Sequence, residues 1–205
     1  MDSKSNKTNL EDYLKKKICP DLDKGRPNFD KPHTIEVVAY IKRIIKHTPN
    51  IKVDKNVLII AAYAHDWGYS GLFKNNKVLN FEDVNNAKKQ HMLLGVEKLS
   101  KLLNDKFFSF LTQEQKQRCI HLVAVHDKID EIKDIDEIVL MEADMLSGLD
   151  VNSVKPTFDF ESNQKFIHAI KTKRIPKFFN QYSKNEAKKL IKARINFYKE
   201  KQKKM

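Results

Sequence analysis

Glycine and proline are scarce in this sequence, five and six among 205 residues. So few turn-forming residues argue against a turn-rich β sandwich and leave room for long helices. No run of about 18 apolar residues occurs, so nothing reads as a membrane span. The opening stretch, MDSKSNKTNLEDYLKKK, has no apolar h-region of the kind a secretory signal requires. Cysteine is almost missing too: Cys19 and Cys119 stand far apart, and neither belongs to a CxxC pair. The expectation is a reduced, cytoplasmic protein with two ordinary thiols.

What is present is ordinary in amount and uneven in distribution. Hydrophobic residues make up 40% and aromatic residues 9%, enough at this length for one well-filled core. The net charge is +12, yet residues 171–205 hold 13 of the 39 Lys+Arg and only two of the 27 acids, Glu186 and Glu200. The body is therefore nearly balanced and the basic character belongs to the C-terminal segment. Such a segment could attract nucleic acid, an anionic membrane or a polyanionic substrate. It carries no aromatic-interleaved basic motif, so the plainer reading is a solvated, lysine-rich helix and nucleic acid is not the favoured partner.

Helical periodicity runs through most of the chain. Residues 8–18 read as a first helix, followed by a loop punctuated by Pro20, Gly25, Pro27 and Pro32. From His33 the apolar positions Val37, Ile41, Ile44 and Ile45 recur at helical spacing. Asp54 can cap VLIIAAYAHD, which is apolar on nearly every side and therefore reads as buried. Gly68 and Gly71 break that helix and open a loop to about residue 81. Helices are expected at about 83–104, from the Thr112-x-x-Gln115 capping box to about His126, from the Asp134-x-x-Glu137 box through Asp144, and near 161–172. Ser183-x-x-Glu186 is expected to open the last helix, with Ala187, Ile191, Ile195 and Tyr198 as its apolar stripe. No segment alternates with period two. The expected class is all-α, one domain spanning 1–205, with its core at about 30–150 and a basic helical extension at 160–205.

Several polar residues stand where this pattern calls for apolar ones. His65 and Asp66 close the most hydrophobic helix, and His65 shares a face with Leu58 and Ala62. Asp144 lies on the inward side of its helix, three and four residues after Met141 and Leu140. His33 heads an apolar stripe. Burying two carboxylates requires a cation nearby or a full set of hydrogen bonds, and a divalent metal satisfies carboxylates and imidazoles together.

The order His33 … His65-Asp66 … Asp144, each on its own helix, resembles the HD superfamily of metal-dependent phosphohydrolases, named for its H…HD…D pattern. The resemblance covers about residues 30–150 and includes the small-residue run AAYAHD, Gly68 just after the pair, and EADMLSGLD. It implies that His33, His65, Asp66 and Asp144 are the four metal ligands. His91 and His126 fall where some members place two further histidines, which bind a second ion or face the phosphate. His47, His121 and His168 match no motif position and read as structural.

Mixed imidazole and carboxylate ligation suits Mn²⁺, Fe²⁺, Co²⁺, Ni²⁺ or Zn²⁺ better than Mg²⁺, with one or two ions. The resemblance implies catalysis by metal-activated water, with Asp66 orienting or deprotonating it and His91 or His126 bonding the phosphoryl group or leaving oxygen. In the loop after the pair, Trp67, Tyr69 and Phe73 offer stacking faces for a base, and Lys74 and Lys77 offer charge for phosphates. Lys128 could serve similarly. This layout suits a nucleotide or a similar small phosphorylated metabolite as substrate.

Branches of the family differ in detail. The cyclic-dinucleotide phosphodiesterases carry an extended GYP signature, whereas GYSG follows the pair here. The deoxynucleotide triphosphohydrolases are much longer, and the acidic pair of the alarmone hydrolases is missing. Small stand-alone nucleotidases and nucleotide pyrophosphohydrolases fit the length. A regulatory protein that keeps the metal and binds a nucleotide without turnover, and non-phosphate chemistry at the metal, remain as alternatives.

Overall fold

The computed structural model describes residues 9–73 and 79–203, and these form eight α-helices with no strand among them. The helices are α1 (Leu10–Leu22), α2 (Asp30–His47), α3 (Lys55–Ala64), α4 (Phe81–Leu102), α5 (Gln113–Val125), α6 (Ile135–Leu149), α7 (Phe160–Ala169) and α8 (Gln181–Lys203). The all-α expectation holds. No helix of the described residues is long and apolar enough to cross a membrane.

Helix α6 runs through the middle of the molecule, and every residue from Val139 to Leu149 on it is buried. It packs on α2 and α8, while α3 packs on α2 and α5. One apolar cluster draws Leu14 from α1, Ile41 from α2, Ile60 from α3, Leu99 from α4, Leu146 from α6 and Ile191 from α8. The apolar runs of α3 and α6 thus form the interior, and the amphipathic helices cover them.

Local signals in the sequence mark most boundaries. At α5 the backbone N–H of Gln115 donates to Thr112 Oγ1 at 3.2 Å and the Thr112 N–H returns to Gln115 Oε1 at 2.8 Å. Asp54 Oδ1 accepts from the N–H groups of Asn56 and Val57, at 2.9 and 3.1 Å, and opens α3. Two expectations need correction. Helix α1 does not stop at residue 18 but passes through Pro20 to Leu22, because Ile18, Cys19 and Leu22 continue its buried face. The last helix is not opened by Ser183. Asn180 Oδ1 takes the N–H of Tyr182 at 2.8 Å, and Ser183 lies inside the helix, donating to the buried Glu142 Oε2 at 2.6 Å. Glu142 Oε1 also accepts the N–H groups of Phe179 and Asn180, at 2.6 and 2.9 Å, which anchors the start of α8 to α6.

The turn after α3 is compact. Trp67–Tyr69 form a single 3-10 turn that packs against α4, and Gly68 sits on the α4 backbone. A Cβ at Gly68 would run into the carbonyl oxygen of His91. Gly95 on α4 is less tightly confined, with Val123 Cγ1 3.1 Å from where its Cβ would lie and the Gly68 nitrogen at 3.7 Å. These two missing side chains let the chain end carrying Asp66 lie directly against the helix that carries His91. Gly68→Ala is expected to lower folding stability by at least about 2 kcal/mol, because the obstacle is backbone and cannot rotate away. Urea denaturation of the purified variant measures this, and an unchanged midpoint would contradict the packing described.

Candidate metal centre

Five helices deliver the polar residues to one place. His33 comes from the first turn of α2, His65 and Asp66 from the end of α3, His91 from α4, His126 from the end of α5 and Asp144 from α6. All six are buried. Their donor atoms form two groups, His33–His65–Asp144 and Asp66–His91–His126, with the atoms of each group within 4.8 Å of one another.

Hydrogen bonds fix how three of the four imidazoles present themselves. His65 Nδ1 donates to the Ala62 carbonyl at 2.7 Å, and His126 Nδ1 donates to the Val123 carbonyl at 2.8 Å. Each ring therefore ends its helix by bonding the carbonyl three residues back, which turns an Nε2 lone pair toward the centre. At His33 the partner is Ser147 on α6. The Ser147 hydroxyl donates to the His33 carbonyl at 3.0 Å, so its oxygen accepts from His33 Nδ1 at 2.9 Å, and again Nε2 carries the lone pair. These tautomers are assigned from the network.

The lone pairs converge on groups that cannot donate to them. His33 Nε2 is 3.3 Å from His65 Nε2 and 3.0 Å from Asp144 Oδ1. His65 Nε2 is 3.8 Å from the same Asp144 oxygen. Asp66 Oδ2 lies 3.4 Å from His33 Nε2 and 3.2 Å from His65 Nε2. Two ligands about 2.1 Å from one ion stand about 3.0–3.5 Å apart, which is the spacing seen here. On the other side of the same carboxylate, Asp66 Oδ1 is 3.6 Å from His91 Nε2 and 3.8 Å from His126 Nε2, and those two nitrogens are 3.1 Å apart. Asp66 thus stands between two imidazole pairs, one at each oxygen. Donor type and spacing fit a divalent transition metal at the His33–His65–Asp66–Asp144 group, and a second ion at the Asp66–His91–His126 group.

The electrostatics agree. Burial works to lower the pKa of His65, but the charges of Asp66 and Asp144 and the hydrogen bond to Asp66 outweigh it and raise the value to about 9. The place where its Nε2 points is therefore negative enough to hold a cation. His91, buried and beside His126, is pushed down to about 3 and stays neutral, as a ligand must. Burial raises the Asp66 carboxyl, yet the charges of Arg26 and His65 hold it well below the usual carboxylate range.

Arg26, in the loop between α1 and α2, was not evident from the sequence. Its Nη2 pairs with Asp66 Oδ2, its Nε donates to Asp30 Oδ1 at 2.5 Å, and its guanidinium lies over the rings of Phe29 and Tyr69 at 4.5 and 4.3 Å. Nor were the polar residues that line the adjoining cavity, chiefly Asp127, Lys88, Arg174 and Arg194. The cavity has about 890 Å³ of empty space, mouth included, and is lined by Asp66, His33 and Asp144 together with Phe81, Phe158 and Phe166.

Among the expected substrate-contacting residues the structure separates two from the cavity. Trp67 packs in the main apolar cluster with its Nε1 donating to Asp21 Oδ2 at 2.9 Å, and it does not line the cavity. Lys128 points to the surface and pairs with Glu131 at 3.2 Å; its neighbour Asp127 faces the cavity instead. Tyr69 does line it, but its ring is stacked on His91 at 4.0 Å on one side and covered by Arg26 on the other. No face of Tyr69 is left for a base. Phe73 stacks on Tyr69 at 5.6 Å. Lys74 and Lys77 lie outside the described residues. Of the histidines read as structural, His121 pairs with Glu137 at 2.6 Å and His47 stacks on Tyr182 at 4.3 Å, both away from the centre.

The HD-domain family model matches residues 32–149, more than half of the chain, and the protein belongs to the HD-domain family. No match is found among curated proteins or among solved structures.

A pH signature follows from His65. Its pKa in the metal-free fold, about 9, lies above the ordinary 6.5. A group raised on folding stabilises the fold below its unfolded pKa and loses that contribution as pH climbs through the folded one. Chelated protein should therefore melt lower at pH 9 than at pH 6.5, and Mn²⁺ should remove most of the difference by taking the proton's place. Thermal melts with EDTA or Mn²⁺ at both pH values test this; a His65→Ala chain should show no metal-dependent rise, and a wild-type Tm indifferent to metal would refute the centre.

Proposed function

We propose that the chain is a metal-dependent phosphohydrolase that cleaves a phosphate ester or anhydride of a nucleotide or similar small phosphorylated metabolite. The observation that carries this reading is the Asp66 carboxylate, set between two buried imidazole pairs in the lining of a cavity whose walls also hold Arg26, Lys88, Arg174 and Arg194. An acidic, metal-ligating floor under basic walls matches a phosphate, which needs a cation on its oxygens and a base near the attacking water.

A divalent ion held by His33, His65, Asp66 and Asp144 would supply Lewis acidity, making water more acidic and neutralising phosphoryl charge. Asp66, kept ionised by the Arg26 charge beside it, would orient the attacking water. His91 and His126 either complete a second metal site or hold the phosphoryl or leaving oxygen. Arg26, paired with Asp66 and lining the cavity, offers a fixed positive charge beside the centre and is itself clamped by Asp30, Phe29 and Tyr69. The aromatic lining of the cavity, Phe81, Phe158 and Phe166, supports a base or another flat apolar group as part of the ligand. That role passes to these residues from Trp67 and Tyr69.

Purified protein in Mn²⁺ or Co²⁺ is expected to release phosphate or pyrophosphate from at least one member of a nucleotide and sugar-phosphate panel. Asp66→Asn and His65→Ala should each reduce the rate by about a thousandfold, while Trp67→Phe leaves KM within about twofold, since that ring makes no cavity contact. A panel giving no turnover above the Asp66→Asn background would overturn the proposal.

A further inference from the structure

The part of the cavity wall supplied by residues after 149 carries two buried guanidinium groups, Arg174 and Arg194, that the fold neutralises only in part: Arg174 shares one carboxylate with Lys88, and Arg194 has none. Arg174 ends a π-helical turn, Ile170–Arg174, directly after α7. Such turns are rare, and by inserting one residue into the helical register they re-aim the side chains that follow. The Arg174 side chain is only 8% exposed and lines the cavity. Its Nη2 donates to Asp127 Oδ1 at 2.5 Å, but its Nη1 is buried and meets no acceptor among the described residues. A guanidinium presents its donors as a rigid fork, and a buried edge of that fork without an acceptor marks a place where one is to arrive.

Asp127 is not a counter-ion for Arg174 alone. It is shared with Lys88 at 3.2 Å, and its second oxygen lies 3.8 Å from His91 Nε2. Asp127 therefore ties Arg174 to the edge of the metal centre. Arg194, on α8 and also lining the cavity, adds a second buried guanidinium whose hydrogen-bond partners are neutral. Its Nε donates to Asn163 Oδ1 at 2.6 Å and its Nη1 to the Gly148 carbonyl at 2.7 Å, with Phe166 and Tyr198 against its face. Buried charge of one sign is tolerated where an opposite charge can enter.

We propose that Arg174 is a substrate-binding residue: its Nη1 edge grips a phosphoryl oxygen in the cavity, with Lys88 beside it, while Asp127 holds the guanidinium in place. This deepens the hydrolase reading and rests on it for the identity of the anion. It assigns anion recognition to a segment outside the residues that carry the family pattern. Planar, forked donation favours phosphate over a halide or a neutral ligand.

The test uses the full-length, Mn²⁺-loaded protein with inorganic phosphate as the probe, followed by calorimetry. Arg174→Gln should weaken phosphate binding by about 10- to 100-fold, the range for a lost charge-assisted hydrogen bond, with metal content unchanged. Arg174→Lys should recover part of the loss, because it restores charge without the fork. Unchanged phosphate affinity in Arg174→Gln overturns the proposal. So does an equal loss in Asp127→Asn to which Arg174→Gln adds nothing, since Arg174 would then only prop Asp127. If the Gln chain does not fold, the Lys variant decides: a several-fold loss supports the proposal and wild-type affinity refutes it. Phosphate binding is read without turnover, so Arg174-dependent binding in a chain that hydrolyses no ester sinks the hydrolase reading alone. Hydrolysis with wild-type KM in Arg174→Gln sinks this inference alone.

Discussion

One carboxylate governs the arrangement of the rest. Asp66 is buried among four imidazoles and another acid, and a buried carboxylate without compensation is destabilising by several kcal/mol. The fold compensates it directly with Arg26 at Oδ2 and with the charge His65 carries in the metal-free state, and it sets the His33–His65 pair at Oδ2 and the His91–His126 pair at Oδ1 where a cation would complete the compensation. Each partner comes from a different helix or loop, so the requirement to satisfy this one group brings α2, α3, α4 and α5 to a common point. The glycines at 68 and 95 are the steric counterpart of the same demand, since they allow the turn after Asp66 to lie against α4.

The central cluster of buried histidines and aspartates was legible in the sequence because polar residues interrupted apolar stripes. His33, His65 and Asp144 each occupy a position where helical spacing requires a buried side chain, and each is buried. The helix boundaries set by Thr112, Asp134 and Asp54 were legible for the same kind of reason, a local hydrogen-bond pattern that needs no tertiary partner. Ser183 misled because the same four-residue form can be filled from elsewhere: Glu142 claims its hydroxyl and Asn180 takes over the cap. Arg26 and Arg174 were not legible, since a loop conformation and a π-helical turn decide where they point. Arg194 was within reach. It shares the stripe of Ala187, Ile191 and Tyr198, a charged residue on an apolar face, the signal that singled out His33.

The basic C-terminal segment reads differently once placed. Its lysines account for the net charge, but its buried face, with Ala187, Ile191, Arg194 and Tyr198, closes the core and part of the cavity wall. The family segment therefore supplies the buried His and Asp cluster and part of the cavity wall, and the chain outside it supplies the rest of the wall, Arg26, Arg174 and Arg194 among it. Trp67 illustrates the converse: it stands next to the HD pair in sequence, yet its side chain turns into the core and serves packing.

The three imidazoles whose tautomer is fixed differ in what fixes them. His65 and His126 lean on carbonyls of their own helices, and a carbonyl is present whatever amino acid occupies positions 62 and 123. Their aim is set by the backbone and not by the identity of those two side chains. His33 depends instead on one hydroxyl, Ser147, in another helix. Among descendants of this sequence, the pair 33 and 147 should therefore change together or not at all, whereas the aim of His65 and His126 depends on no particular side chain at positions 62 and 123.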